Sequence, residues 1–312
     1  MRVALVTSGT RGDAQPLVLL ARELQSRGHE AVLGLPPKVA DLGRRAGVET
    51  HDLGPDTQQL MESDQGRAWL AAGNTRAFMK ELSELSARAA DLTRAGQLAA
   101  GDGADLLVAG VLMQDLALPH AEALGVPMVA LHSFPFDPNR VYPNPFVVNR
   151  QLPRPLNLAS GKLFESLWWK GFRDEINRFR GVVGLAPTTV PSHRQMHERG
   201  VVALQAYDPA VVPGLEQEYG DRRPLVGFLA PDPGLRERLG EGALPPGLTA
   251  WLDAGEPPVF FGFGSMPVRD PRAAVEMITG VAGRLGVRAV VNAGWGRSRR
   301  PRPRRRRRHG RR

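Results

Sequence analysis

Residues 1–37, MRVALVTSGTRGDAQPLVLLARELQSRGHEAVLGLPP, spell one complete strand–helix–strand unit, and this unit constrains the fold more than any other feature of the chain. Val3–Val6 is a short unbroken apolar run, which suits a strand buried on both faces. Thr7–Asp13 is a polar, glycine-bearing turn. Beyond it Leu17, Leu20, Ala21 and Leu24 recur at helical spacing, with Pro16 suited to the first helical turn and Gly28 to the stop. Ala31–Leu35 then reads as the second strand. The turn after the first strand presents Thr10, Arg11, Gly12 and Asp13 beside a helix N-terminus, a place that binds anions and holds reactive carboxylates.

The alternation continues. Val39–Ala46 reads as a helix, Val48–Leu53 as a strand and Thr75–Ala99 as one or two helices. Asp105–Leu112 reads as a buried strand, followed by a helix through Leu124 and a strand at Val126–His132. Phe134–Pro155 is Pro-rich and aperiodic, a loop of the kind that carries ligand contacts. Leu156–Val183 returns to helical spacing with Trp168, Trp169, Phe172 and Phe179, for which core packing is the default and ligand contact the alternative. Leu204–Ala206 and Leu225–Phe228 fit short closing strands. The spacing therefore predicts an α/β fold: a complete doubly wound parallel-sheet domain over 1–225, a Pro- and Gly-rich linker over 226–257, and the start of a second such domain over 258–296. In that second part Val259–Phe263 reads as a strand, Pro271–Leu285 as a helix and Val287–Ala293 as a strand.

Arg297–Arg312 differs from everything before it, with eleven arginines and no acidic residue. Without those arginines the formal charge falls from +9 to −2, so the basic character belongs to the tail. It gives no ground for expecting the folded part to seek nucleic acid or an anionic membrane. Three accounts compete: a basic arm that binds phosphates, a solvated tail kept disordered by self-repulsion, and a GC-rich gene read out of frame, which yields Arg, Pro and Gly. The abrupt change at Trp295-Gly296 favours the last. No apolar run approaches the ~20 residues of a spanning helix. Peripheral membrane contact stays open, and the absence of Cys is compatible with a cytoplasmic protein and leaves no thiolate metal site. His29 reads as part of a turn, and His120, His193 and His197 lack metal-ligand spacing, so no metal is expected.

Gly9-Thr10-Arg11-Gly12-Asp13 with Gln15-Pro16 and Gly28-His29-Glu30, then His132–Arg140 with Tyr142–Pro145, then Trp168–Pro187, and finally Pro258–Pro267 form a set of words along the chain. Together they resemble the inverting GT-B glycosyltransferases, including the UDP-glucosyltransferase, sterol and antibiotic types. The resemblance implies sugar transfer with inversion from a UDP- or dTDP-hexose to a hydroxyl of a lipid-like or secondary-metabolite acceptor, without a cofactor. It implies Asp13 as the base, the alternative being a plain helix cap, and Thr10, Arg11, Gly12, Gly264 and Ser265 as phosphate contacts. For Arg11 a solvent-facing role, and for Ser265 an ordinary Gly-Ser turn, remain as alternatives. His132, Phe134, Phe136 and Tyr142 are implied on the acceptor side, and Trp168–Pro187 is implied to be a long helical hairpin.

The family's Gly-rich, His-containing donor motif and its acidic–amide pair have no match in this sequence. The expectation is thus a chain truncated in its donor domain, able to bind an acceptor and transferring little sugar on its own. Two other functions stay open at this point: a non-catalytic acceptor-binding half, and a nucleic-acid-associated protein acting through the tail.

Overall fold

The computed structural model describes residues 1–54, 89–264 and 270–292. The earlier part of the helical stretch Thr75–Ala99, Ser265 and the arginine tail lie outside the described residues. Among the described residues, 1–54 and 89–243 belong to one compact unit and the remainder to a second.

The first unit is a parallel sheet. Its strands are β1 (Arg2–Val6), β2 (Glu30–Leu35), β3 (Glu49–Asp52), β4 (Leu106–Gly110), β5 (Met128–His132) and β6 (Val202–Gln205), in the order β3-β2-β1-β4-β5-β6. Register runs from Leu5↔Leu33 and Leu5↔Val108 to Leu131↔Leu204. The helices are α1 (Arg11–Ser26), α2 (Pro37–Arg45), α3 (Ala90–Gly101), α4 (Gln114–Leu124), α5 (Arg154–Val182), α6 (Ser192–Glu198), α7 (Leu215–Tyr219) and α8 (Pro233–Arg238).

Strand alternation sorts the apolar side chains onto two faces, as a sheet covered on both sides requires. Val3, Leu5, Leu33 and Leu35 pack with Leu17, Val18 and Ala21 of α1 and Val39 and Ala40 of α2. Ala4, Val6, Val32 and Leu107 pack on the other face with Ala100 of α3 and Ala117, Leu118 and Ala121 of α4. Leu235 and Leu239, from the stretch read as a linker, join the first of these cores.

Gly96 shows how closely the layers approach. A Cβ at this position of α3 would collide with the backbone carbonyl oxygen of Asp52. Helix propensity alone favours Ala over Gly by about 1 kcal/mol. Here the clash reverses the sign, and Gly96→Ala is expected to destabilise the protein by about 1–3 kcal/mol in urea melts.

Three expectations need correction. Trp168–Pro187 is not a hairpin, because α5 runs unbroken from Arg154 to Val182. The helix after β1 starts at Arg11, earlier than Pro16 suggested, because Thr10 caps it and Asp13 accepts a hydrogen bond from the Thr10 N–H at 2.8 Å. Pro16 therefore lies inside the helix, where it lacks the N–H that would bond the carbonyl four residues back, that of Gly12. Leu225–Phe228 is not a strand: Leu225 makes one bridge to Gln205 before Gly227 turns the chain away at φ +81°.

In the second unit, α9 (Pro246–Asp253) precedes β7 (Val259–Gly262), α10 (Pro271–Leu285) and β8 (Ala289–Asn292). β7 and β8 pair in parallel, with Phe261 opposite Val291. Ile278 and Ala282 of α10 are buried in this unit, and Arg288 lies over the Trp251 ring at 3.8 Å.

Candidate functional site

The strand order reverses between β1 and β4, which opens a crevice at their carboxyl ends where ligands of doubly wound sheets bind. Gly9 and Asp13 stand at this crevice. A Cβ on Gly9 would collide with the Asp13 carboxylate and approach Leu112 to 3.0 Å, so this position in the turn after β1 requires glycine, and its φ of +107° says the same. Asp13 is half-buried at the third position of α1. Burial pushes its proton affinity up, and the hydrogen bonds from Thr10 oppose that rise without cancelling it. The carboxylate is therefore both a helix cap and a stronger base than an exposed aspartate.

The other residues singled out after β1 divide. Thr10 is the N-cap of α1 with extended backbone, and Gly12 is exposed in its first turn. Arg11 is exposed, hydrogen-bonded to Gln15 Oε1 at 3.0 Å and ion-paired with Glu241. As placed, its guanidinium is engaged by protein. Gly264 follows β7 in the second unit with φ +59°, and Ser265 is outside the described residues.

Beyond β5, Phe134 and Phe136 enter an aromatic cluster. Phe136 meets Phe134, Phe164 and Trp168 at ring separations of 6.2, 5.6 and 6.0 Å. Phe146 stacks on Phe164 at 5.3 Å, and Trp168 lies 4.5 Å from Phe172. Phe164, Trp168 and Phe172 follow one another at i, i+4 along α5 and form one stripe. That spacing is visible in the sequence, where Phe164 is the member of the stripe that periodicity alone would add. Trp168 is a half-buried member of the stripe whose indole N–H donates to Asp115 Oδ2 at 2.8 Å. Only Phe179 of the four aromatic residues expected in the core is fully buried.

Tyr142 turns elsewhere, packing against Tyr207, Leu215 and Tyr219 and donating its hydroxyl to the Pro213 carbonyl at 3.1 Å. His132, at the end of β5, is 1% exposed. Its Nε2 faces Gln114 Oε1 at 2.9 Å and its Nδ1 faces the Asp137 carboxylate at 3.1 Å, so both ring nitrogens are taken by protein. Although burial opposes it, Asp137 is held below the usual carboxylate range by His132, Arg223 and Gln205.

Asn157 fixes the loop between β5 and α5. Fully buried, it donates to the carbonyls of Arg140 and Val141 at 3.1 Å each and accepts from the Leu152 N–H at 3.2 Å. Asn157→Ala leaves these groups unpaired and is expected to cost about 1–3 kcal/mol. Limited proteolysis should then cut the loop faster than α5 unfolds.

A cavity of about 500 Å³ lies beside β5 and β6, lined by residues far apart in the chain. Asp137, Glu165, His193 and Arg223 are on its wall. Burial, reinforced by Asp137 and Asp115, pushes Glu165 up to about 7, and burial pushes His193 down. Among the described residues no three His, Asp or Glu side chains gather as metal ligands, and no helix is long and apolar enough to cross a membrane.

A doubly wound sheet with a capped carboxylate at its switch point defines a class of ligand-binding α/β domain, and the relatives define the family. Residues 3–143 match the model of the glycosyltransferase family 28 N-terminal domain. An uncharacterized glycosyltransferase of Mycobacterium leprae is 36% identical over 303 residues, covering 94% of this chain and 67% of the relative. A sterol 3-beta-glucosyltransferase of Arabidopsis thaliana is 29% identical, covering 95% of this chain and 46% of the plant protein. The crystal structure of the glycotransferase of kitacinnamycin shares the fold with a TM-score of 0.54 at 18% identity, covering 93% of this chain and 64% of that one. The chain belongs to the GT-B glycosyltransferases. It spans about two thirds of the length of the mycobacterial relatives and about half that of the plant ones.

Proposed function

We propose that the chain serves inverting transfer of a hexose from a UDP- or dTDP-sugar to a hydroxyl of an apolar acceptor, in the cytoplasm and without a metal or cofactor. The observation that carries this reading is Asp13, a half-buried carboxylate of raised proton affinity at the β1/β4 switch point. In this reading Asp13 takes the proton of the acceptor hydroxyl as its oxygen bonds to the anomeric carbon, and the bond from that carbon to the diphosphate breaks. The N-terminus of α1, with Thr10 and Gly12, helps to neutralise the leaving group, and the phosphate-contacting roles of Gly264 and Ser265 belong to the same reading. Arg11 would have to release Glu241 to join them.

The stripe of Phe164, Trp168 and Phe172 with Phe136 offers an apolar acceptor a stacking wall. The similarity to a sterol glucosyltransferase supports an acceptor that is largely hydrocarbon with a hydroxyl at one end. The test offers cholesterol and a macrolide aglycone to the purified protein, reads binding by tryptophan fluorescence, and then adds UDP-glucose or dTDP-glucose with mass detection of the glycoside. Saturable binding and a product of inverted anomeric configuration are expected, the product forming slowly. Neither binding nor product with any pairing would overturn the reading.

A further inference from the structure

The turn from β4 into α4 touches both the base and the acceptor wall. Leu112 lies where a Cβ on Gly9 would meet it, beside Asp13. Gln114 Oε1 faces His132 Nε2 at 2.9 Å, and Asp115 Oδ2 accepts the indole N–H of Trp168 at 2.8 Å. We propose that Asp115 is a positioning residue of the acceptor site, fixing the plane of Trp168 and so keeping the aromatic wall rigid. The site then favours a flat fused-ring acceptor over a flexible hydrocarbon chain. This inference rests on the transferase reading and adds to it what sets the acceptor's shape.

An acidic residue in the first turn of a helix commonly caps that helix or complements its dipole. Asp115 does something further. The N-terminus of α4 has no side-chain cap bond, and the Asp115 carboxylate crosses to α5 instead. Burial pushes its proton affinity up, and the bond from Trp168 opposes that rise, with attraction to His193 added. Shielding a carboxylate from water costs free energy that a plain helix start does not require. In return, an N–H bond to an ionised acceptor is shorter and stronger than one to a neutral group.

Trp168 needs that bond to be held in one orientation. It meets Phe136, Phe164 and Phe172 at ring separations of 6.0, 5.6 and 4.5 Å and interplanar angles of 83°, 40° and 36°. Apolar packing is non-directional, so these rings fill the space beside the indole without settling which edge points inward. The N–H bond settles it. Asp115, Phe136 and Trp168 line one recess with Glu165 and His193, and these last two continue from it into the larger cavity. A wall ordered in advance receives a rigid flat ligand without a further ordering cost, whereas a flexible chain must order itself on any wall.

The experiment measures equilibrium binding of cholesterol and of dodecanol to the full chain, both delivered from cyclodextrin and without nucleotide-sugar. Heteronuclear NMR follows exchange of the Trp168 indole N–H, assigned by its absence in Trp168→Phe. The parent is expected to prefer cholesterol and to protect that N–H. Asp115→Leu, which cannot accept a hydrogen bond, should lose the protection and cut the preference about tenfold. Asp115→Asn, whose amide oxygen can accept the same bond, should restore most of both. If Asp115→Leu does not fold, Trp168→Phe removes the donor, keeps an aromatic ring, and should relax the preference to the same degree. Indole protection retained in Asp115→Leu, an unchanged preference, or an equal loss for both ligands would overturn the proposal alone, since a general loosening of the fold weakens both ligands alike. So would a parent that binds both without preference, or an Asp115→Asn protein as impaired as Asp115→Leu. A parent that binds neither ligand overturns the acceptor reading and this inference with it.

Discussion

Replacing Asp13 by Asn is expected to lower the rate of sugar transfer by about 10²–10⁴-fold, the usual contribution of a positioned general base, with acceptor affinity unchanged. Asp13 has two duties in the structure, and the substitution separates them. As a cap it accepts from the Thr10 N–H at 2.8 Å, and an amide oxygen can accept the same bond. Loss of a cap costs typically ~1 kcal/mol of stability, whereas a hundredfold or greater loss of rate is about 3 kcal/mol or more of barrier. The two explanations therefore predict different observables. If Asp13 is the base, Asp13→Asn keeps its melting temperature and loses product formation. The pH profile of the parent should also show an acid limb, because the base must be ionised, and burial sets that limb above the ordinary aspartate range. Full activity of Asp13→Asn would leave Asp13 a cap and nothing more.

How much of this was legible beforehand depended on whether the signal was local. The β1–α1–β2 unit could be read because apolar period changes from continuous to helical within one stretch, and Val3, Leu5, Leu17 and Leu33 all reached the core. The start of α1 was misplaced because a Thr10-to-Asp13 cap carries no hydrophobic signal. The hairpin expected over Trp168–Pro187 failed for the opposite reason. Gly171 is exposed and meets nothing a side chain would disturb, so the stripe of Phe164, Trp168 and Phe172 continues through it to Ile176 and Phe179. Leu235 and Leu239 stand four apart in a stretch whose Pro and Gly content suggested a linker, and that spacing is what buries them. For the cavity no local signal exists. Asp137, Glu165, His193 and Arg223 come from separate elements, and only the tertiary fold brings them to one wall.

The burial of Glu165 bears on stability. Its carboxyl is carried from an ordinary 4.5 to about 7 by burial first, with repulsion from Asp137 and Asp115 added and attraction to Arg223 and Lys162 only partly offsetting it. The folded state therefore holds this proton more tightly than the unfolded chain. Below about pH 4.5 the group is protonated in both states and the folded state has its full advantage. That advantage is lost as pH rises through 4.5 to about 7, and above it the folded state holds a largely buried, ionised carboxylate. Glutamine copies the protonated form at every pH. Glu165→Gln is thus expected to stabilise the protein at pH 8 by up to roughly 3 kcal/mol, or roughly 5–10 °C in melting temperature for a unit of this size, and to change little at pH 4.5. The sign is unusual, since a charged residue is being removed from a protein at a pH where it is ionised. Thermal melts of both proteins at the two pH values decide the matter. An equal increment at both would mean that glutamine merely packs better, and a loss at pH 8 would mean that the carboxylate has found a donor in solution.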